Sequence, residues 1–207
     1  MLAGIVRGRP SVRSALRRAG RYAPSGRPAY HRPMEERTLS STHPWRGRRI
    51  GVRIDEVERS DGHRTTREIV EHPGAVAILA WDGARLAMVR QWRHATGEVL
   101  LEIPAGTLEP EEPPLATAER ELAEEVGLGA SHWVTGPAFY TAPGFCDELM
   151  HLYLATGLTH SHAEADADEL LEPTWLTLPE ALAACDGGEI RDAKTIAGIG
   201  WLARRLP

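Results

Sequence analysis

The sequence predicts an α+β domain, and three observations point there. Strand-type segments occupy residues 50–103 and recur at 133–155 and 173–177, with either period-two or continuous apolar patterning. One amphipathic helix interrupts them between Pro113 and Val126, and two helical stretches close the chain. Asp61-Gly62 and Asp82-Gly83 stand between strand segments, where Asp-Gly favours a hairpin turn.

Taken in order, Ile50, Val52, Ile54 and Val57 alternate roughly with charged residues, and Thr65 to Val70 returns after the first turn. Ala75 to Trp81 is apolar throughout, the composition of a strand buried on both faces. Leu86 to Gln91 follows the second turn, and Val99 to Ile103 runs into Pro104-Ala105-Gly106. From Pro113 to Val126 the apolar positions Leu115, Ala118, Leu122 and Val126 recur at three- and four-residue steps, which predicts a helix with one buried stripe. Pro113 and Pro114 suit its first turn and Gly127 its stop. Strands near Trp133 to Tyr140, Leu149 to Ala155 and Pro173 to Thr177 come next. Helices at about Pro179 to Ala184 and Ala193 to Arg204 follow.

A chain of 207 residues, 42% hydrophobic, can bury one ordinary core. That core is assigned to residues 45–207, behind a basic extension at residues 1–44. Before Glu35 there are eight arginines and no Asp or Glu. Gly, Pro, Ser and Ala fill the spaces without hydrophobic periodicity, the pattern of a disordered arm. A nucleic-acid or membrane arm, a transit-like segment and a stretch upstream of a start at Met34 are the readings open for it. The net charge of −5 argues against a global nucleic-acid-binding field. No apolar run approaches the roughly 18 residues of a membrane span. Cys146 and Cys185 make neither a ligand pair nor a disulfide framework, so a reduced, cytoplasmic protein is expected.

The chemistry concentrates on the predicted central helix. Glu121, Glu124 and Glu125 stand at i, i+3 and i+4, so their carboxylates share a face of its last two turns. Like charges there repel one another and oppose the helix macrodipole. A hard divalent cation reverses the sign of both effects. Mg2+ or Mn2+ accepts carboxylate oxygens and leaves positions for phosphate oxygens. Arg120, four residues before Glu124, can orient or partly neutralise the cluster. The competing reading is a solvated acidic helix face.

Spacing decides between them. Gly106, Glu112, Arg120, Glu121, Leu122, Glu124, Glu125, Gly127 and Leu128 match without departure the Nudix box, G-x5-E-x7-R-E-U-x-E-E-x-G-U with U apolar. Such a match arises by chance on the order of once in 10⁹ windows. The chain therefore resembles the Nudix hydrolases. The resemblance implies an α/β/α sandwich with a mixed central sheet, here preceded by an N-terminal antiparallel hairpin. It also implies Mg2+-dependent attack of water on a nucleoside diphosphate linked to another moiety. Glu121 and Glu125, then Glu124, are the implied metal ligands, with the main-chain carbonyl of Ala105, while Glu112 caps or anchors the loop.

Further stretches resemble the ADP-ribose pyrophosphatase branch: Arg67 to His72, Gln91-Trp92-Arg93, Gly97-Glu98 with Leu101 to Gly106, Pro143 to Glu148, and Gly188 to Thr195. The likeness runs from about Trp45 to the C-terminus. It implies hydrolysis of ADP-ribose, or a related ADP-sugar, to AMP and ribose 5-phosphate. The alternatives are another nucleoside diphosphate derivative, a dNTP, or a non-catalytic ADP-ribose-binding module. By resemblance Arg93 contacts the pyrophosphate, and otherwise it is a surface arginine. Arg67 and Glu68 match positions that reach adenosine across a dimer interface, or form a cross-strand ion pair. Glu148 accepts from the terminal ribose or is a strand-start charge. Trp45, Trp92 and Tyr140 are candidates to stack on adenine or to fill the core. The branch also implies a homodimer built on the hairpin region of residues 45–72. A general base is implied from the acidic loop Glu164 to Glu169, but Ala167 stands where some members have glutamate. Glu169, Asp166 or Glu164 takes that place, or Glu121 or Glu124 orients the water.

Overall fold

In the computed structural model, which describes residues 35–161 and 170–205, the chain first makes a three-stranded antiparallel sheet. Its strands are β1 (Glu36–Arg46), β2 (Gly51–Arg59) and β3 (Arg64–Glu71), in that spatial order. The β2–β3 connection is the expected turn. Gly62 takes a positive φ of 83°, and the Asp61 carboxylate accepts from the backbone N–H of His63 at 3.1 Å. The bond from that N–H, with Arg59 nearby, holds the Asp61 carboxyl below its ordinary value.

β1 moves the expected boundary of the extension. Residues 36–44, assigned to the N-terminal arm, form strand and pair with β2 from Glu36↔Arg59 to Arg46↔Gly51. The strand is almost wholly exposed, so it carries no apolar alternation to announce it. Its partners hold it by backbone pairing and by polar contacts such as Ser41 Oγ to Asp55 at 2.7 Å. Pro44, which has no N–H to give a ladder, lies where the register shifts between Thr42 and Trp45. The assigned arm before Glu35 lies outside the described residues.

The second sheet comprises β4 (Ala75–Trp81), β5 (Arg85–Arg93), β6 (Glu98–Glu102), β7 (Ala105–Thr107), β8 (Leu128–Tyr140), β9 (Leu149–His160) and β10 (Leu171–Thr177). Its main path runs β10-β5-β4-β9-β8, with β6 beside β5 and β7 beside β4. Only the β4–β9 pair is parallel among the described strands, so the sheet is mixed. The expected strands are present. β7 is additional, and β8 begins several residues earlier than the sequence suggests.

Alternation along β4 builds two cores, because successive side chains leave opposite faces of a strand. Val76, Ile78 and Ala80 pack with Ala118 and Leu122 of the helix α1 (Pro114–Val126). Ala77 and Leu79 pack on the other face with Ile103, Leu152, Ile199 and Leu202. The second face is covered by α2 (Leu178–Gly187) and α3 (Ala193–Ala203). Helices therefore flank the sheet on both sides, the sandwich that the resemblance to the Nudix hydrolases implied. No described helix is long and apolar enough to cross a membrane.

Two local details differ from the predicted helix stripe. Leu115 is exposed, and Thr117 is fully buried in its place. The Thr117 hydroxyl is satisfied by Glu112 at 2.8 Å and by the Pro113 carbonyl at 3.4 Å, which removes the penalty of burying a polar group. At the far end Gly127 stops the helix with φ 65°, a left-handed conformation that costs other residues about 1–2 kcal/mol.

Candidate active site

The site begins where β6 ends. Pro104 presents its carbonyl to the Ile78 N–H at 2.8 Å, and Ala105 to Thr107 then pair with β4 from Ala77 back to Ala75. This fixes a short stretch of backbone against the last turns of α1. Glu125, only 6% exposed, accepts from the Ala105 N–H at 3.0 Å. Glu121 lies directly over Gly106. A Cβ added at Gly106 would stand 1.9 Å from the Glu121 carboxyl, so glycine is required there for space rather than for conformation.

Arg120 binds the acidic face together. Its Nη1 donates to Glu121 and to Glu124, each at 2.9 Å. Its Nε and Nη2 reach Glu112 at 3.2 and 3.1 Å. The Glu112 partnership is the leading cause that pushes the Arg120 guanidinium upward from an already high value. Reciprocally, Arg120 holds the Glu112 carboxyl below the usual carboxylate range, with Thr117 adding to the effect. Glu112 is thus a loop anchor and Arg120 its lock.

The donor set suits a hard divalent cation. Among the described residues no three acidic or imidazole side chains form a ready-made ligand group; Arg120 bonds Glu121 and Glu124 as their counter-cation. All the candidate donors are nevertheless oxygens. Ala105, Glu121, Glu124 and Glu125 line one cavity of ≈ 1390 Å³. Carboxylate and carbonyl oxygens are the ligands Mg2+ prefers. The residues present therefore fit the cation that the sequence implied.

The same cavity gathers charge from the rest of the fold. Arg93, Glu102, Asp147, Glu148, Asp192 and Lys194 line it. Arg93 clamps Glu102 bidentately, Nε at 2.9 Å and Nη2 at 2.7 Å. Lys194 bonds the same carboxylate and also Asp192 at 3.0 Å. Burial alone would push the Glu102 carboxyl up, but Arg93 and Lys194 outweigh it and hold it low. Glu148 accepts from the Thr141 hydroxyl, and His72 Nε2 lies 3.7 Å from it. The loop between β8 and β9 is tied to β3 through Val70, whose N–H donates to Phe145 O at 2.7 Å and whose carbonyl accepts from Asp147 N at 3.2 Å.

Other sequence candidates stand elsewhere. Arg67 and Glu68 are on β3 and do not line the cavity. Arg67 pairs with Glu36, Nε at 2.9 Å and Nη2 at 2.5 Å. Trp45, Trp92 and Tyr140 are exposed rather than core and are likewise not among the lining residues. Glu164, Asp166, Ala167 and Glu169 lie outside the described residues. Glu102 and Lys194 lie within stretches that resemble the ADP-ribose pyrophosphatase branch, where their place in the sequence alone assigns them no task. A signal was there, in a lone carboxylate beside Leu100, Leu101 and Ile103 and in the single lysine of the chain.

The low Glu102 value has a measurable consequence. A group whose pKa is lower folded than unfolded adds stability that is complete above the unfolded value and lost as pH falls through the folded one. Denaturant titrations should therefore show the unfolding free energy dropping below the ordinary glutamate value of 4.5. Glu102→Gln is expected to lose part of that acid slope, with Glu112 keeping part of the rest. An identical slope in the variant would contradict the assignment.

Comparison with known proteins agrees with this geometry. The NUDIX domain family matches residues 71–198. An ADP-ribose pyrophosphatase of Bacillus subtilis (strain 168) is 42% identical over 172 residues, which cover 82% of this chain and 93% of that protein. An ADP-ribose pyrophosphatase of Mycobacterium tuberculosis (strain ATCC 25618 / H37Rv) is 44% identical over 170 residues, covering 78% and 80%. The crystal structure of an ADP compounds hydrolase shares the fold, with a TM-score of 0.75 over 83% of this chain and 94% of that one at 24% identity. A mixed sheet between helices, carrying an acidic helix against a glycine loop, defines the class, and the chain belongs to the Nudix family.

Proposed function

We propose that the protein hydrolyses the pyrophosphate bond of ADP-ribose, or of a closely related ADP-sugar, giving AMP and ribose 5-phosphate from ADP-ribose. Mg2+ is the working cation and Mn2+ its substitute. The observation that carries this reading is the meeting of an acidic helix face and an anchored guanidinium in one cavity, a pairing suited to a diphosphate accompanied by a divalent cation. The ADP-ribose pyrophosphatases at 42% and 44% identity support the choice of substrate.

Glu121, Glu124, Glu125 and the Ala105 carbonyl would hold the cation, which when bound neutralises phosphate charge and lowers the pKa of an attacking water. Arg93 pairs with a phosphate oxygen and fixes the diphosphate in the cavity. Glu148 accepts hydrogen bonds from the terminal ribose. Arg67 and Glu68 reach adenosine of a second protomer's site, which makes the working form a homodimer built on the β1–β3 sheet. Water gives its oxygen to one phosphorus and its proton to a carboxylate, while the bridging oxygen leaves on the other phosphate. Glu169 is assigned as that carboxylate, with Glu121 or Glu124 as the alternative on the helix. A cytoplasmic setting suits such an enzyme, and no nucleic acid or membrane takes part.

Purified protein incubated with Mg2+ and ADP-ribose, ADP-glucose, NADH or dNTPs tests the proposal by chromatography of the products. AMP from ADP-ribose in preference to the others is expected. No AMP from any diphosphate would overturn the reading, and turnover of dNTPs alone would replace the substrate.

A further inference from the structure

His72 follows β3 directly and lines the cavity together with Glu148. Its imidazole is anchored on one side, where Nδ1 accepts the Gly74 N–H at 3.1 Å. A ring nitrogen that accepts carries no proton, so in the neutral imidazole Nε2 is the donor. That Nε2 lies 3.7 Å from Glu148 Oε1, beyond hydrogen-bond length. The two groups are therefore neighbours, and each keeps hydrogen-bonding capacity for a third group. His72 leaves 14% of its side chain exposed and Glu148 22%, so both are open to the cavity they line.

The pair is held from several directions. The His72 N–H donates to Asp147 Oδ1 at 2.7 Å, and Asp147 stands beside Glu148 in sequence. The Asp147 N–H in turn donates to the Val70 carbonyl at 3.2 Å, so the end of β3 and the β8–β9 loop are stitched together next to the pair. On Glu148, Oε2 accepts from the Thr141 hydroxyl, and the Glu148 carbonyl accepts the Thr141 N–H at 3.3 Å. That leaves Oε1 as the oxygen turned towards the imidazole. Gly74 is fixed as well, its carbonyl accepting the Leu108 N–H at 3.0 Å. A donor and an acceptor held side by side in this way match two neighbouring hydroxyls of a sugar ring. One hydroxyl donates to the carboxylate, a charge-assisted bond, and the next accepts from Nε2–H. An ionised phosphate has no proton to give the carboxylate, so the pair does not serve the diphosphate.

We infer that His72 and Glu148 together read a vicinal diol on the terminal sugar, His72 Nε2 donating to the hydroxyl next to the one that Glu148 accepts from. The inference rests on the ribose role given to Glu148 above. The substrate class it selects is a nucleoside diphosphate ending in a sugar with two adjacent hydroxyls on one face of the ring. Removing either hydroxyl leaves one polar group of the pair unpaired, the kind of loss by which a site rejects an analogue. His72 touches no reacting phosphorus, so its effect falls on recognition of the sugar.

The test uses His72→Asn, whose side-chain oxygen keeps an acceptor for the Gly74 N–H but whose amide stops short of the Nε2 position. A second variant, His72→Phe, keeps the ring and removes both nitrogens. Each is measured for kcat/KM on ADP-ribose and on analogues lacking the 2-hydroxyl or the 3-hydroxyl of the terminal ribose. The parent is expected to favour ADP-ribose over at least one analogue by about tenfold or more. His72→Asn is expected to lose most of that preference, slowing with ADP-ribose while the same analogue stays within about threefold of its parent rate, a coupling between residue and hydroxyl. A merely structural histidine would lower all three substrates by the same factor, and that result overturns the inference. So does a parent that treats the three alike within about twofold. If the parent releases no AMP from ADP-ribose, the proposed function falls, and calorimetric affinities of the same three nucleotides still judge His72. Should His72→Asn fail to fold, His72→Phe decides by the same ratios.

Discussion

Glu125→Gln is expected to lower kcat by about three orders of magnitude while leaving the protein folded. Glu125 is nearly buried, and its carboxylate accepts the Ala105 N–H at 3.0 Å. A glutamine oxygen can accept the same bond, so the contact between helix and loop survives. What disappears is a negative charge from the carboxylates proposed above to hold the cation. A thousandfold loss corresponds to about 4 kcal/mol of transition-state stabilisation, the size expected if Glu125 holds the cation as proposed. Steady-state kinetics with ADP-ribose and Mg2+, alongside a thermal melt, measure the two halves separately. Activity within threefold of the parent would remove Glu125 from the ligand set.

Gly106→Ala comes second in size and acts by a different route. The added methyl would meet the Glu121 carboxyl at 1.9 Å, far inside van der Waals contact. The backbone of β7 is fixed by its pairing with β4, whereas Glu121 is a flexible side chain, so Glu121 is the group that gives way. The expected stability cost is modest, about 1 kcal/mol, since such a rearrangement amounts to mild overpacking. The expected activity cost is about a hundredfold in kcat/KM, because one carboxylate leaves the cluster. Gly127→Ala provides the contrast. No side chain or backbone atom crowds that position within 3.4 Å, but its φ of 65° is strained for alanine, so its penalty falls on stability. Melting curves and kinetics of the two variants should separate in opposite directions, and a Gly106→Ala enzyme of full activity would show that Glu121 is dispensable where it lies.

What could be read from the sequence follows the range of the interactions. The acidic face of α1 was legible because helical spacing alone brings Glu121, Glu124 and Glu125 together, and Gly127 announced its own stop. The two Asp-Gly turns were legible for the same local reason, Gly83 taking φ 103° and Asp82 accepting the Ala84 and Arg85 N–H groups at 2.8 and 2.6 Å. β1 was hidden because its residues bury almost nothing and are ordered by the backbone of β2. Thr117 was hidden because a threonine satisfied by its neighbours behaves as core while reading as polar. The Arg93, Glu102 and Lys194 trio was hidden for a third reason. Its members meet only after β5 pairs with β6 and α3 docks on Ile103, and no periodicity registers a contact of that kind.

The trio also sets an order of events during synthesis. Glu102 and Lys194 are separated by 92 positions, so a nascent chain exposes the carboxylate of β6 long before the ribosome supplies the ammonium of α3. The acidic helix draws on neighbours in sequence, but the wall made by Arg93, Glu102 and Lys194 needs the last helix. The closing helix therefore belongs to the wall of the cavity as well as to the core of the fold.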